Sequence, residues 1–260
     1  MNLRYLYKIN RFLFQIICLK NYPPLISIYF HHIDDNVINQ IIKIKCFFDK
    51  LGYVFLTPNQ IINNDYDKGL YISFDDNYKS WIEYSDKLVK NNIKATFFIN
   101  TITFDNVKEI NNYYDRLKFY GDRTPLNKND LIELKNKGFV IGSHSHSHFN
   151  LAKIPYSIAK HEILINKKIL EDIIEDNVKH FSFPYGMPKH FSNRLFNYCL
   201  SIGFKTVNYA TPCMLYEKSI YNGKVNRHPW KEIIDFNENL INIRIDGNFF
   251  IKIFNKSPIG

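Results

Sequence analysis

Seven short apolar runs, rich in β-branched and aromatic residues, alternate with segments of helical periodicity along most of the chain. Runs of this length and composition predict buried strands. Strands separated by helices predict a parallel sheet. The sequence therefore predicts an α/β fold, a distorted (β/α)7-type barrel in a single domain, with an open doubly wound sheet as the alternative. The runs are residues 25–30, 53–57, 70–74, 94–99, 139–143, 180–184 and 204–210.

Helical periodicity between the runs is clearest in residues 77–91, 128–137 and 156–175. The second segment is followed by Gly138, a residue that commonly ends helices. The third has its apolar residues on one face, at spacings of four and seven. By contrast, residues 101–127 are polar and rich in tyrosine and asparagine, and we predict a loop there, near the mouth of the barrel.

The composition fits one sizeable globular domain, since 45% of the 260 residues are hydrophobic. The formal net charge is +9, which is compatible with acidic partners or an anionic membrane. The basic residues are scattered, without an arginine cluster, so we predict no binding to nucleic acid. The four cysteines include no C-x-x-C pair. They indicate neither a zinc knuckle nor a disulfide framework, and favour a reducing compartment.

Residues 1–24 form a predicted N-terminal amphipathic segment ahead of the main domain at 25–260. The apolar run from Phe12 to Leu19 is too short to cross a bilayer and lacks a small-residue cleavage site. We therefore expect a helix that packs on the domain or contacts a membrane surface through residues 1–20. The expected location is the cytoplasm or the periphery of the inner membrane, rather than outside the cell.

Ionisable or turn-forming residues follow four of the predicted strands. In α/β barrels, the catalytic groups lie at the carboxyl ends of the strands. The sequence therefore predicts an active site at this end of the barrel. The residues concerned are Asp75 and Asp76, the alternating His144, His146 and His148, the Pro184-Tyr185-Gly186 turn, and His31 with His32.

Asp75 and Asp76 are adjacent carboxylates that repel each other unless something compensates. One interpretation is that Asp76 or Asn77 caps the following helix, and an alternative for the histidines is a polar surface strand. A metal site explains them together, because Asp76, His144 and His148 have the two-His-one-carboxylate composition of many open catalytic sites. Zinc is the first candidate for this divalent metal, although iron(II) enzymes use a similar trio. Such a metal acidifies bound water and polarises a carbonyl.

Three segments in order resemble the motifs of the polysaccharide deacetylase family, carbohydrate esterase family 4. They are "YISFDDNY", "GSHSHSHFNL" and "FSFPYG", which are similar to T/S-F-D-D, H-S/T-x-x-H and a motif ending in P-Y-G. The resemblance extends from about Leu25 to Val207. It implies a distorted barrel of about seven strands and metal-dependent hydrolysis of N- or O-acetyl groups on sugars.

The resemblance also implies roles for individual residues. Asp75 would be the base that activates water, while Asp76, His144 and His148 would bind the metal. The backbone N–H of Tyr185 would help to form an oxyanion hole. His146 falls at a variable position of its motif, so it is expected to point away from the metal or to line the cleft.

The chain departs from the family pattern in three places. Ser182 stands where the third motif often has an arginine that orients the base. Asn77 replaces a usual glycine. The late leucine–x–histidine motif, which supplies a general acid, is not evident, and His228 fits it poorly.

The stretch "LISIYFHHIDD" resembles the Y-H-x-I element of a subgroup related to poly-N-acetylglucosamine deacetylases. In that subgroup the barrel order looks permuted, and its opening histidine replaces the late one. His31 holds that position here, with Phe30 in place of the tyrosine. Strand alternation is expected to send His32 to the opposite side. Arg227 matches a late arginine of the subgroup, with a cleft role and a structural role both open.

The leading hypothesis is a metal-dependent hydrolase that removes acetyl groups from N-acetylated sugars of a polysaccharide or glycan precursor. One alternative is a deacetylase of a lipid- or nucleotide-linked sugar, and another is a non-catalytic carbohydrate-binding protein on the same scaffold. A binding protein needs no metal ligands, which favours the enzyme. Trp230 is interpreted as a core residue rather than a sugar-stacking one. His161, His180 and His190 are interpreted as structural or surface residues.

Overall fold

The computed structural model describes residues 22–104, 107–211 and 222–244, and these contain a parallel sheet. The sheet order is β8-β7-β6-β5-β4-β3-β1-β9, with β2 paired to the start of β3. Most of the predicted segment 1–24 lies outside the described residues. The strands are β1 (Leu25–Phe30), β2 (Val54–Phe55), β3 (Gly69–Asp76), β4 (Ala95–Ile99), β5 (Val140–Ser143), β6 (His180–Ser182), β7 (Thr206–Tyr209), β8 (Lys224–Asn226) and β9 (His228–Pro229).

The sheet closes on itself at Arg227, the residue between β8 and β9. β8 pairs with β7, whereas β9 pairs with β1, so one stretch of chain joins both ends of the strand order. The Arg227 N–H donates to the Tyr209 carbonyl at 3.0 Å, and the Trp230 N–H donates to the Tyr29 carbonyl at 3.1 Å. The predicted barrel is therefore confirmed, and the open sheet is wrong. All seven predicted strands are present, and the two closing strands are additional.

Two predicted helices, at 128–137 and 156–175, are confirmed within one residue at each end. The helix predicted at 77–91 begins only at residue 80 and is interrupted at Tyr84. No helix among the described residues is both long and apolar enough to cross a membrane. The helices are α1 (Asp35–Asp49), α2 (Pro58–Ile62), α3 (Ser80–Glu83), α4 (Ser85–Lys90), α5 (Val107–Leu117), α6 (Lys128–Asn136), α7 (Tyr156–Ile174), α8 (Asn193–Ser201), a 3₁₀ turn at Pro188–His190 and a helix at 236–244.

The loop predicted for residues 101–127 was wrong in one respect, because it contains α5. Tyr113 and Tyr114 on this helix are fully buried. Their hydroxyls donate to Asn100 Oδ1 at 2.9 Å and to the Asn77 carbonyl at 2.6 Å. Tyrosines thus supply the buried face of α5. The helix is not predicted when tyrosine is counted as a polar residue. The segment does lie near the barrel mouth, as predicted.

The central strands are buried on both faces, which explains their nearly continuous apolar sequence. All eight residues of β3 and all five of β4 are buried. The Phe97 ring stacks on the Phe74 ring, with centroids 5.0 Å apart. Truncating such a core phenylalanine to alanine typically costs about 3–5 kcal/mol. The end of β3, which carries Asp75 and Asp76, is therefore held by rigid packing.

Candidate active site

A cavity of about 360 Å³ opens at the carboxyl ends of the strands. Asp75 and Asp76 are the last residues of β3 and pair in register with Phe98 and Ile99 of β4. His144 follows the end of β5 directly, so β3 and β5, which lie on either side of β4, deliver these residues to the site. The lining residues are Tyr29, His31, His32, Asp75, Asp76, Tyr78, Leu117, Lys118, Phe119, His144, His148, Tyr185, Ala210 and Glu232.

Asp76, His144 and His148 meet at the base of this cavity, and all three are buried. Asp76 Oδ1 lies 3.2 Å from His148 Nε2 and 3.5 Å from His144 Nε2. One ligand atom from each residue lies within 4.8 Å of the others. Atoms that bind one zinc ion at about 2.0–2.2 Å are within roughly 4.4 Å of each other. The trio is therefore close to the spacing that one small cation requires.

Neighbouring groups prepare these side chains for a cation. His144 Nδ1 lies 2.8 Å from the Ser182 carbonyl, which can accept only from a protonated Nδ1 and so leaves Nε2 as the lone-pair donor. The Tyr78 hydroxyl donates to Asp76 Oδ2 at 3.2 Å, while Oδ1 faces the histidines. Burial acts to raise the pKa of Asp76, but His148 and His144 outweigh it and hold that pKa well below its usual range. The donor set thus fits a divalent metal.

Asp75 has a different environment from its neighbour. Arg227 Nη1 donates to Asp75 Oδ1 at 2.6 Å, and Nη2 donates to Oδ2 at 2.7 Å. The same guanidinium donates to Ser73 Oγ at 2.9 Å and to Ser182 Oγ at 2.6 Å. Burial acts to raise the pKa of Asp75, but Arg227 overcomes it and the net pKa is lowered. The compensation that two adjacent carboxylates require is therefore present.

Arg227 acts on Asp75 in the way expected of the arginine that Ser182 replaces. It is fully buried, with its guanidinium carbon 4.9 Å from the Tyr29 ring centroid and 5.0 Å from that of Phe98. A cleft role and a structural role were both open for Arg227, and the structure places its side chain against Asp75. Its backbone lies between the two closing strands, so it also has a structural role.

Several site residues have strained backbones. The φ angles of Asp76, His148 and Tyr185 are 84°, 56° and 63°, and such values cost non-glycine residues about 1–3 kcal/mol each. Gly186 has a φ of 55°, and a Cβ there would lie 2.3 Å from the Ala210 nitrogen. Only glycine fits this turn, which places the Tyr185 ring 4.7 Å from the His148 ring. Strain is thus concentrated where chemistry is expected.

His31 and His32 both line the cavity, so the expectation that they face opposite sides was wrong. Alternation does not apply, because β1 ends at Phe30 and both histidines lie in the bend that follows. His31 is close enough to Asp75 and Asp76 for its charge to lower their pKa values. His32 Nε2 lies 3.6 Å from Asp34 Oδ2, toward the rim.

His146, the middle of the three alternating histidines, points away from the metal ligands. Its Nδ1 lies 2.8 Å from Thr101 Oγ1, and its backbone N–H donates to the Glu162 carbonyl at 3.1 Å. The Asn100 side chain donates to the carbonyls of His144 and Ser145, at 2.6 Å and 2.8 Å. The alternating pattern therefore belongs to an anchored loop, not to a polar surface strand.

The capping role considered for Asp76 or Asn77 is absent, because α3 begins at Ser80 and its N-cap, Lys79, forms no side-chain cap. Asn77 instead donates to Thr103 Oγ1 at 2.9 Å and to the Asn100 carbonyl at 3.2 Å. It therefore anchors the loops around the site.

The other residues considered in the sequence analysis are not part of the Asp76, His144 and His148 group. Trp230 is only 5% exposed and packs against Phe30, which confirms the core interpretation. His180 is buried in β6, whereas His161 is exposed. The His190 ring lies 5.2 Å from the Tyr185 ring, so it supports a cavity residue. His228 is on β9 and is not among the residues lining the cavity.

The sequence reasoning missed several cavity residues. Tyr78 was detectable, since it lies two positions after Asp76 in the first motif. Lys118 and Phe119 follow α5, which was not predicted. Glu232 lines the cavity, and burial raises the pKa of its carboxyl despite the opposing charges of His32 and His31. Only the fold brings this carboxylate to the mouth.

Solved structures with the same fold include deacetylases from several bacteria. The Streptococcus pyogenes deacetylase PplD in complex with acetate superposes with a TM-score of 0.65 at 16% identity, over 86% of this chain and 98% of that one. A de-N-acetylase from Aggregatibacter actinomycetemcomitans gives 0.65 at 15% identity, over 84% and 99%. IcaB from Ammonifex degensii gives 0.62 at 15%, over 80% and 91%. At these identities the likeness establishes the fold.

Sequence comparison establishes the family. A peptidoglycan-N-acetylglucosamine deacetylase of Bacillus cereus is 30% identical over 101 residues, or 39% of this chain, and the match spans only 30% of that relative's length. The family model described as polysaccharide deacetylase matches residues 63–207, more than half of the chain. That range contains the Asp75–Asp76 pair, His144, His148 and the Tyr185 turn. The chain therefore belongs to the polysaccharide deacetylase family.

Proposed function

We propose that this chain is a metal-dependent hydrolase that removes acetyl groups from N-acetylated sugars of a polysaccharide or glycan precursor. The observation that carries the proposal is the division of two adjacent carboxylates. Asp76 faces two histidines, whereas Asp75 is held by Arg227. Two carboxylates at one site whose partners differ in this way typically have distinct catalytic roles.

Asp76, His144 and His148 would hold the metal, for which zinc is the first candidate given the two-nitrogen, one-oxygen donor set. A divalent metal bound there would supply a Lewis acid beside the acetyl carbonyl and would acidify water. The buried trio is accessible from the cavity, so a substrate acetyl group can reach it.

Asp75 is proposed to act as the base. Its low pKa keeps it ionised at neutral pH, and Arg227 fixes both of its oxygens. A positioned base of this kind typically contributes about 10²–10⁴-fold to the rate. The backbone N–H of Tyr185 is proposed to stabilise the oxyanion, since the strained turn holds this residue beside His148.

His31 is proposed to protonate the leaving amine. Amide hydrolysis expels a poor leaving group until it is protonated, so an acid is needed. His31 lines the same cavity as Asp75 and Asp76 and is exposed at its mouth. The acid and the base thus come from neighbouring strands, β1 and β3.

A non-catalytic binding protein is the weaker candidate. Burying two carboxylates and two histidines costs free energy unless they are paired or bind a cation. A sugar-binding cleft has no use for that arrangement. The choice between a polymer and a lipid- or nucleotide-linked sugar depends on groups beyond the acetyl site.

Acetate release from N-acetylated oligosaccharides, polymers and precursor sugars tests the proposal. Purified protein would be assayed as prepared, after chelation, and after zinc is restored. We expect acetate release that chelation abolishes and zinc recovers. Binding of sugars without acetate release, in protein shown to contain zinc, would support the binding protein instead.

We also propose that residues 1–20, which lie outside the described part of the chain, contact a membrane. A location in the cytoplasm or at the inner membrane is proposed with it. Liposome flotation of the full chain and of a chain lacking residues 1–20 tests the membrane contact. Flotation of only the full chain with anionic vesicles would support it, and no flotation of either would contradict it.

A further inference from the structure

The Arg227 guanidinium places all five N–H donors of an arginine side chain on acceptors. Nη1 donates to Asp75 Oδ1 and to Ser73 Oγ, at 2.6 Å and 2.9 Å. Nη2 donates to Asp75 Oδ2 and to Ser182 Oγ, at 2.7 Å and 2.6 Å. Nε donates to the Tyr209 carbonyl at 3.4 Å. Serine hydroxyls thus occupy both of the Nη donor positions that Asp75 leaves open.

The two serines reach the guanidinium from different strands. Ser73 precedes Asp75 by two residues on β3, so strand alternation puts both side chains on one face of the sheet. Ser182 ends β6, and β4 and β5 lie between β6 and β3 in the strand order. Each serine therefore holds a different Nη atom, and the guanidinium cannot shift along Asp75 without breaking one of these bonds.

Both hydroxyl groups lie beneath the cavity rather than in its wall. Ser73 and Ser182 are fully buried, and neither is among the residues that line the cavity in the described part of the chain. Arg227 is likewise buried and is not a lining residue, whereas Asp75 reaches the cavity. The serine hydroxyls can thus affect the reaction through Arg227 and Asp75, but not by touching the substrate.

Ser182 also connects the two halves of the site. Its hydroxyl donates to Asp75 Oδ2 at 3.4 Å, and its carbonyl lies 2.8 Å from His144 Nδ1. Because the same hydroxyl oxygen is 2.6 Å from Arg227 Nη2, a longer side chain here would displace the guanidinium. Position 182 therefore requires a small residue with a hydroxyl group while Arg227 holds Asp75.

We propose that Ser73 and Ser182 are positioning residues, which act through Arg227 to fix the direction in which the Asp75 carboxylate faces the acetyl site. This inference deepens the proposed function and rests on it for the role of Asp75 as the base. A base contributes only when its oxygen is within hydrogen-bond reach of the proton that it removes. A misplacement of about 1 Å can cost about 10²-fold in rate, so hydroxyls outside the cavity can control turnover.

Steady-state acetate release by Ser73→Ala, Ser182→Ala and the double variant tests the effect on turnover, in preparations matched for zinc content. We expect kcat to fall about tenfold in each single variant and further in the double variant, with KM within about twofold of wild type. KM should change little because neither serine lines the cavity. Ser73→Thr keeps the hydroxyl and should recover most of kcat.

Ser85→Ala is the matched control for the loss of a buried serine hydroxyl. Ser85 lies on α4, is fully buried and also accepts from a cation, with Lys137 Nζ at 2.7 Å from its Oγ. It does not line the cavity. Ser85→Ala should therefore retain the kcat and KM of the wild type.

The hold on the guanidinium can be measured by NMR, without turnover. In isotope-labelled protein, the side-chain N–H signals of Arg227 are assigned by their absence from Arg227→Lys. Wild type and Ser85→Ala should show separate, slowly exchanging Nη protons, because all of them are bonded and buried. Ser73→Ala and Ser182→Ala should show averaged or faster exchanging Nη protons, since each variant leaves one donor without its acceptor.

Arg227→Met provides a background that separates positioning from general damage. If the serines act through the guanidinium, adding Ser182→Ala to Arg227→Met should leave kcat within about twofold of that of Arg227→Met. A serine with a merely structural role would cause the same loss in both backgrounds. If Arg227→Met is too unstable to assay, the guanidinium signals of the single variants decide between the two roles.

Three results would each overturn the inference. They are a kcat within about twofold of wild type in the Ser73→Ala, Ser182→Ala double variant, Arg227 signals that do not change in either single variant, and a loss of kcat as large in Arg227→Met as in the wild-type background. Absence of acetate release from every sugar by the wild-type protein would count against the proposed function instead, and the NMR signals would still show whether the serines hold Arg227.

Discussion

Arg227 donates from both Nη atoms to both carboxylate oxygens of Asp75, at 2.6 Å and 2.7 Å. The two residues are 152 positions apart in the chain. A two-point bond of this kind fixes the orientation of the carboxylate as well as its charge. Arg227 thus joins the closing strands through its backbone and holds the proposed base through its side chain.

Replacing Arg227 should therefore reduce both activity and stability. Arg227→Met leaves Asp75 buried without a partner, which typically costs about 3–5 kcal/mol, and turnover should fall about 10²-fold or more. Metal content should be retained, because Asp76, His144 and His148 are not its partners. Urea unfolding, acetate release and metal analysis check these outcomes.

A double-variant cycle separates the ion pair from general damage. Adding Asp75→Asn to Arg227→Met removes the stranded charge, so the double variant should be more stable than Arg227→Met alone. Arg227→Lys should recover part of the stability and turnover. Wild-type turnover in folded Arg227→Met would show that Arg227 does not position the base.

The general acid can be identified by comparing two neighbouring histidines. His31→Ala should remove the alkaline limb of the pH–rate profile and lower turnover about 10²-fold or more, with the metal retained. His32→Ala should keep the bell shape, because His32 lies at the rim beside Asp34. Profiles and metal content of both variants decide the assignment. The reverse pattern would transfer the role to His32.

His180 predicts a pH dependence of stability that is independent of the active site. Burial, assisted by the charge of Lys179, lowers its pKa to about 3, and Nδ1 lies 2.9 Å from Thr206 Oγ1. In the unfolded chain His180 binds a proton below about pH 6.5, whereas in the folded chain it binds one only near pH 3. The contribution of buried, neutral His180 to the free energy of unfolding is thus fully present above about pH 6.5 and is lost as the pH falls toward 3.

Asparagine at this position removes the titration while keeping a hydrogen-bonding group. His180→Asn should be less stable than wild type at pH 7. The difference between the two proteins in free energy of unfolding should be smaller by roughly 2 kcal/mol at pH 5, since one pKa unit corresponds to about 1.4 kcal/mol. Urea unfolding at both pH values measures it. A difference that stays constant would mean that His180 has the same pKa in the folded and the unfolded chain.

The strands and the meeting of Asp76, His144 and His148 were predictable because their signals are local. β3 and β4 are buried on both faces, so their sequences are continuously apolar. Asp76, His144 and His148 follow such strands directly, and the carboxyl ends of parallel strands meet at one edge. The barrel therefore assembles residues that the sequence already marks.

The remaining features depend on contacts that have no local signal. β8 and β9 comprise three and two residues, too few for any periodicity. Arg227 was marked only by a resemblance that left its role open, and its bond to Asp75 requires barrel closure. Helix α5 was missed because its buried face consists of tyrosines. The alternation expected of His31 and His32 was wrong because β1 ends at Phe30 and both residues lie in the bend that follows.

The central claim is that Asp75 and Asp76 have separate tasks in a metal-dependent deacetylation. Metal content and acetate release, measured on the same preparations of wild type, Asp75→Asn and Asp76→Asn, test it most directly. We predict about one metal and acetate release in the wild type, retained metal with turnover lowered about 10²-fold or more in Asp75→Asn, and loss of metal and activity together in Asp76→Asn. Equal metal loss in both variants, or acetate release that persists without metal, would contradict the account.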